Sequence, residues 1–370
     1  MKVVRLRMAL VLSIIIALLA MVGCSSSNTA PNTSPGSSPA NSPNGGTGGT
    51  GGGTQTNQAT PTPTPAPAMT TVRFSEVIRS IFYAPLYIAI EKGFLKDEGI
   101  NVDLVTSQGS DKGAAALLAG TADISLIGPE TTIFIANQAG SKKVKVFYQL
   151  TMKDGSFLLS RSKNDSFKWS DLNGKNIVGW RPGSAPNMVL NAVLKKEKVT
   201  NANVITNLAA PAMVGAFESG KGDYIQLYEP LASMLETQGK AYFVASMGEQ
   251  FGNYPETSFV ATSDYIKANP QIIQNWTNAL IKATKWLQDS SLDDSAKALA
   301  PYFTGTDLNL IKKSIERYNK QGTWSLNPIM DQAQFDILQN VLVENGVLKA
   351  DQKVKMDDVL DMSFVQKAAK

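Results

Sequence analysis

Part of this chain recurs 100 residues further on. Asn101-Val102-Asp103-Leu104-Val105-Thr106 is answered by Asn201-Ala202-Asn203-Val204-Ile205-Thr206, and Leu117, Gly120, Asp123 and Ile124 by Phe217, Gly220, Asp223 and Tyr224. An offset that holds through both segments points to one supersecondary unit used twice. In the first copy, residues 71–77 alternate as a strand, and Ala84-Pro85 opens a helix with proline where its missing N–H costs nothing. A strand is expected over 100–105, a helix over 111–119 stopped by Gly120, and a strand over 122–127. The second copy predicts strands at 176–180, 204–207 and 223–228, with helices at 186–198 and 212–219. Strands alternating with helices imply an α/β fold whose parallel sheets are joined by crossovers. In such sheets ligands bind beyond the carboxyl ends of the strands.

Downstream, 258–262 reads as one more strand, and helices are expected over 270–288, 292–303, 307–319 and 331–345. Trp276, Leu280, Ala283 and Leu287 fall on one helical stripe, which is read as core.

The chain before residue 72 is of another kind. A basic stretch is followed by an apolar run from Met8 to Val22, the layout of a secretory signal and short for a membrane span. Met21-Val22-Gly23-Cys24 resembles a lipobox, which implies that Cys24 carries a lipid and becomes the mature N-terminus; a signal anchor is the other reading. From Ser25 to Thr71 there is no charged residue, only Ser, Thr, Asn, Gly, Pro and a few others. Such a stretch buries too little to offset chain entropy and is expected to be a disordered tether. Its reach as a coil is about 35–40 Å. The expected organisation is therefore 1–24 as signal peptide, 25–71 as linker and the remainder as folded protein.

Composition removes several chemistries. The chain has no histidine, which excludes Ser-His-Asp and Cys-His catalysis and His-ligated metal. Its single cysteine, Cys24, excludes an intramolecular disulfide or a thiolate cluster. Lys+Arg number 35 against 31 Asp+Glu, and Lys2, Arg5 and Arg7 lie in the leader, so the rest is nearly balanced and carries no nucleic-acid footprint. No cofactor and no metal are expected.

Tyr83-Ala84-Pro85-Leu86-Tyr87-Ile88-Ala89, Glu91-Lys92-Gly93-Phe94, Asp97-Glu98-Gly99-Ile100, Leu117 to Ile124, Asp171-Leu172-Asn173-Gly174-Lys175 and Phe217 to Asp223 stand in a distinctive order. Together they resemble the solute-binding proteins of ABC importers for nitrate, sulfonates, taurine and thiamine-pyrimidine precursors, over roughly 72–364. The resemblance implies a two-lobed, type II periplasmic-binding-protein-like fold with a ligand cleft between the lobes. Lobe I is expected at 72–160 and 262–370, completed by the C-terminal helices, and lobe II at 161–261, with the crossings near 157–160 and 258–261. It also implies a monomer on the outer face of the cytoplasmic membrane that binds a small solute and hands it to permease subunits.

Strand ends and helix N-termini nominate the ligand-facing residues. Phe82 and Tyr83 follow the first strand and can stack on a planar ligand; Gln108 and Gly109 follow the second. Gly128, Glu130 and Thr131 follow the third. In the second copy, Trp180, Arg181 and Ser184 combine an aromatic plane, a permanent cation and a helix start, and Arg181 can clamp an anionic group in bidentate fashion. Tyr228 and Glu229 close the matching strand, with Glu229 expected to point at the cleft. Each has an ordinary structural alternative: packing for the aromatics, a turn for Gly109, a helix start for Glu130, an exposed loop for Arg181, a lobe-boundary salt bridge for Glu229. If Glu130 and Glu229 both face the cleft with Arg181, the ligand carries donors or an amine. That favours an aminopyrimidine-like heterocycle or an amino-bearing organic acid over nitrate, with a sulfonate still open. The rival readings are an enzyme using such paired carboxylates as acid and base, and a sensory or adhesive surface protein.

Overall fold

The computed structural model describes residues 69–140 and 142–368. The leader, Cys24 and the linker before residue 69 lie outside the described residues. The first copy of the repeat forms β1 (Thr70–Glu76), α1 (Ala84–Glu91), β2 (Ile100–Thr106), α2 (Ser110–Ala119), β3 (Ile124–Ile127), α3 (Glu130–Ala136) and β4 (Val144–Gln149). After β5 (Phe157–Ser160), the second copy forms β6 (Asn176–Val178), α4 (Ala185–Lys196), β7 (Asn203–Ile205), α5 (Ala210–Glu218), β8 (Tyr224–Leu227), α6 (Leu231–Thr237) and β9 (Tyr242–Ser246). The chain then runs through β10 (Ser258–Thr262), α7 (Pro270–Asp289), α8 (Leu292–Leu299), α9 (Leu308–Gln321) and α10 (Gln332–Glu344), with shorter turns between.

The repeat holds down to single hydrogen bonds. Gly120 and Gly220 both stop their helices with left-handed backbones, φ 73° and 97°, a conformation that costs a residue with a Cβ. Asp123 and Asp223 then play one role: each donates its N–H to the neighbouring strand and accepts that strand's N–H on its carboxylate. The bonds are Asp123 N–H to Arg73 O at 2.8 Å and Asp223 N–H to Asn176 O at 2.7 Å, with both returns at 2.9 Å. The strand orders match as well, β2-β1-β3-β10-β4 and β7-β6-β8-β5-β9.

Both sheets are mixed rather than purely parallel. β1 runs parallel to β2 and β3, and β6 to β7 and β8, as the alternation predicts; β10 and β5 are inserted antiparallel. These two strands are the pieces expected as crossings, and they lie inside sheets instead: 157–160 in the second sheet and 258–262 in the first. The chain passes between sheets a few residues earlier, at 150–156 and 252–257. The two passages run side by side, joined by Leu150 N–H to Thr257 O (2.9 Å), Tyr254 N–H to Met152 O (2.9 Å) and the Thr151–Thr257 hydroxyl pair (2.7 Å). The helix expected over 292–303 stops at Leu299 and continues as a 3-10 turn, Ala300–Tyr302. Pro301, which lacks an N–H, sits in that turn.

Two apolar clusters each draw on both sheets, Phe74 and Phe157 falling in one and Ile127 and Leu158 in the other. Trp276, Leu280, Ala283 and Leu287 are each at most 1% exposed, and Trp276 meets Phe74 and Phe259 at centroid distances of 5.2 and 5.8 Å. Burying such a stripe contributes about 1.5–3 kcal/mol per large side chain. The C-terminal helices pack against the first sheet and also reach the elements around the second. Arg317 on α9 bonds Glu229 (2.5 Å) and Glu236 (2.8 Å) beside the second sheet, and Asn345, just beyond α10, donates to Met188 O on α4 (3.3 Å). No helix among the described residues is long and apolar enough to cross a membrane.

Candidate ligand-binding cleft

Loops that leave the carboxyl ends of β1, β2 and β3 face loops that leave β6, β7 and β8 across a cleft of about 550 Å³. Small-molecule sites have volumes of this order. Ten of the residues nominated from sequence line it: Tyr83, Gln108, Gly109, Gly128, Glu130, Thr131, Trp180, Arg181, Ser184 and Tyr228. Gln108 holds a left-handed backbone, φ 63°, in a non-glycine residue, a conformation that carries local strain. Trp180 is fixed by donating its indole N–H to Gln226 O (3.1 Å) and by an edge-on contact with Tyr228 at 5.1 Å.

Two nominated residues are elsewhere. Phe82 is fully buried, its ring packed on Tyr83, Tyr228 and Tyr318 at 5.4–5.7 Å, where it fills the junction of the lobes. Glu229 does not point at the cleft. It is 1% exposed, and its carboxylate accepts from Arg317 (2.5 Å), Ser233 N–H (2.9 Å) and the Ser233 hydroxyl (2.8 Å). The reason is a better partner on the other side: α9 brings a cation to a group that would otherwise be buried uncompensated.

The acid that does reach the cleft beside Glu130 is Glu256, from the second passage between sheets. Its carboxylate accepts from the Tyr228 hydroxyl and from Gly155 N–H (2.6 Å). No strand end or helix start marked residue 256; the cue was a lone acid beside Pro255 and ahead of β10. Burial, and then the charge of Asp154, push the Glu256 carboxyl well above the ordinary range. Asp154 is pushed up to about 6 by burial, against the hydroxyl and N–H of Ser156. Glu130 is pushed up to about 7 by burial, opposed only by its own N–H at the start of α3. Three buried polar atoms in this region have no partner among the described residues: Glu130 Oε2, Asp154 Oδ2 and the Tyr254 hydroxyl. No group of acidic side chains among the described residues is arranged to hold a metal ion.

At the mouth, the guanidinium of Arg181 pairs with Asp111 through both of its terminal nitrogens. The pair joins the loop after β6 to the first turn of α2, so it spans the two lobes. Burial raises the Asp111 carboxyl, but the hydrogen bond and charge of Arg181 outweigh it and hold the group below the ordinary carboxylate range. Arg181 is therefore engaged by an acid rather than left open as an anion clamp.

A family described as NMT1/THI5 like matches residues 81–290. The Bacillus subtilis binding protein YtlA is 40% identical over 283 residues, covering 76% of this chain and 85% of the relative. The chain belongs to the NMT1/THI5-like family. The taurine-binding periplasmic protein of Escherichia coli is 25% identical, over 70% of this chain and 82% of the relative. Among solved structures, the alkanesulfonate-binding protein SsuA of Xanthomonas axonopodis bound to MOPS superposes with a TM-score of 0.64 at 19% identity, over 80% of this chain and 100% of that one. The nitrate-binding protein NrtA of Synechocystis gives 0.65 at 18%, over 82% and 89%. These likenesses give the chain the periplasmic-binding-protein fold, two α/β lobes with the cleft between them.

Proposed function

We propose that this protein is the extracytoplasmic solute-binding component of an ABC importer, which captures a small polar organic solute by closing its lobes and delivers it to a permease. The observation that carries this reading is the cleft walled by strand-end loops from both sheets, in a chain whose relatives are named as binding proteins. A solute that touches both walls only when they are together stabilises the closed arrangement by its differential affinity. The hinge is the pair of passages at 150–156 and 252–257. Aromatic walls and the buried acid Glu130 favour a donor-bearing organic solute, aminopyrimidine-like or an amino-bearing organic acid, over nitrate, with a sulfonate still open. We propose further that Cys24 carries a lipid and that the linker expected over 25–71, shortened at its end because β1 already begins at Thr70, tethers the lobes to the outer face of the membrane as a monomer.

Small-angle scattering of the purified chain, before and after addition of compounds eluted from it and identified by mass spectrometry, tests the capture. Compaction with saturable binding is expected; turnover of the compound, or no change in dimensions at saturation, overturns it. Partition of the Cys24→Ser variant into the aqueous phase of a detergent extraction, with the parent in the detergent phase, is the expected result for anchoring.

A further inference from the structure

We infer that the cleft takes its solute as a permanent cation, through a flat nitrogenous group of the amidinium type whose charge is met by Glu130. This rests on the reading of the protein as a solute receptor and names the chemistry of that same site. Relatives named for taurine, alkanesulfonate and nitrate bind solutes with anionic groups; the floor of this cleft is built for the opposite sign.

Glu130 lines the cleft at 3% exposure, and its Oε2 has no hydrogen-bond partner among the described residues. Its carboxyl folds back over Gly128, where any Cβ would run into it. Glu256 lies on the same lining, with Asp154 behind it. The cations on the lining are Arg181, taken by Asp111, and Lys112, exposed at the mouth. An anion seated at the floor would lose its water and gain carboxyls as neighbours, which is costly in both respects. A neutral amide would fill the orphaned acceptor and leave the charge uncompensated. A planar cation supplies donor and charge together, and Tyr83, Trp180 and Tyr228 offer ring faces and edges to its plane.

Proton linkage follows. Burial keeps Glu130 partly protonated near neutrality in the empty cleft, and a bound permanent cation favours the ionised form. Binding then releases a proton and tightens as pH rises. The other groups around this floor are the acids Glu256 and Asp154 and the phenols of Tyr83, Tyr228 and Tyr254, all raised by burial. The two carboxyls release protons in the same direction, whereas the phenols, raised above their ordinary value of 10, stay protonated between pH 6 and pH 8 and add nothing. Asp111, already held ionised by Arg181, adds nothing to the slope.

The test is titration calorimetry of the purified full chain with three probes of one shape: benzamidine, benzamide and benzenesulfonate. Benzamidine is expected to bind about tenfold or more tighter than either of the others, with a dissociation constant that falls several-fold between pH 6 and pH 8. Glu130→Gln is expected to abolish the preference and to flatten most of the slope, Glu256 and Asp154 keeping the remainder; the wild-type pH profile stands even if that variant folds poorly. Benzenesulfonate binding as tightly as benzamidine, a flat or inverted pH slope, or no benzamidine binding overturns the inference. Scattering separates the two claims. Compaction by benzenesulfonate or taurine sinks the cation and keeps the receptor, whereas no compaction by any probe or by any co-purified compound sinks both.

Discussion

Gly128 is glycine because the carboxyl of Glu130 occupies the space where a side chain would begin. The same close approach recurs at Gly155 under the ring of Phe82, at Gly248 against Asp154 O and Gln321, and at Gly109 under the Arg181 guanidinium. In each case a missing methyl seats a neighbour rather than freeing a backbone. Gly128→Ala should therefore displace Glu130 and weaken solute binding by about tenfold, some 1.4 kcal/mol, while circular dichroism shows the fold retained. At Gly155 the neighbour is a fully buried ring with nowhere to go, and Gly155→Ala should cost about 1–3 kcal/mol of unfolding free energy in urea titration. Most of the lining was legible because it follows one rule, strand end then helix start. Glu229 and Glu256 were not, for related reasons. Glu229 satisfies the rule in sequence, but its direction is decided by Arg317, a residue 88 positions away. Glu256 lies on a passage between sheets, where no periodicity announces which side chain turns inward.

Among the elements, α9 ties regions that the strand repeat alone would leave separate. It packs along α8 and the turn Ile81–Tyr83, and sends Arg317 to Glu229 and Glu236 on α6. Arg317 also lies over the rings of Phe243 and Phe157, at 4.7 and 5.3 Å. Arg317→Met should destabilise the protein by about 3 kcal/mol, since it strands Glu229 at 1% exposure. Adding Glu229→Gln should recover most of that loss in chemical denaturation. A different outcome, with the single variant as stable as the parent, would mean that Ser233 and Ser314, whose hydroxyl also donates to Glu229 (3.3 Å), suffice for the carboxylate. The α7 stripe was readable from sequence because a 3.6-residue period needs no knowledge of partners. The bridging role of α9 was not, since its cation has meaning only once α6 is beside it. β4 and β9 belong to the structural repeat but lie beyond the stretches whose sequences match, and neither is predicted from the sequence.

For the whole molecule, the raised acids set a pH dependence of stability. Glu130 has a folded value of about 7 against an ordinary 4.5, so the protonated form is favoured by folding. That stabilisation is complete below the unfolded value and is lost as pH rises through about 7. Asp154, raised to about 6, works in the same sense over a lower window. The empty protein should be more stable at pH 6 than at pH 8, by roughly 1–3 kcal/mol, and calorimetric melts at the two pH values should show the difference. Glu130→Gln should raise the pH 8 melt toward the pH 6 value. A melt that improves with alkalinity would place Glu130 in wetter surroundings than the cleft gives it.

β10 sits between β3 and β4, and β5 between β8 and β9, each having crossed from the other half of the chain. Neither half is therefore a separable module. A fragment ending before residue 157 would expose the flanks of β3 and β4 to any passing strand, and one spanning only 161–257 would do the same with β8 and β9. Such pieces should aggregate when expressed alone, and the intact body should melt as one cooperative event. The halves can swing against each other to hold a solute, but they must be born, and come apart, together.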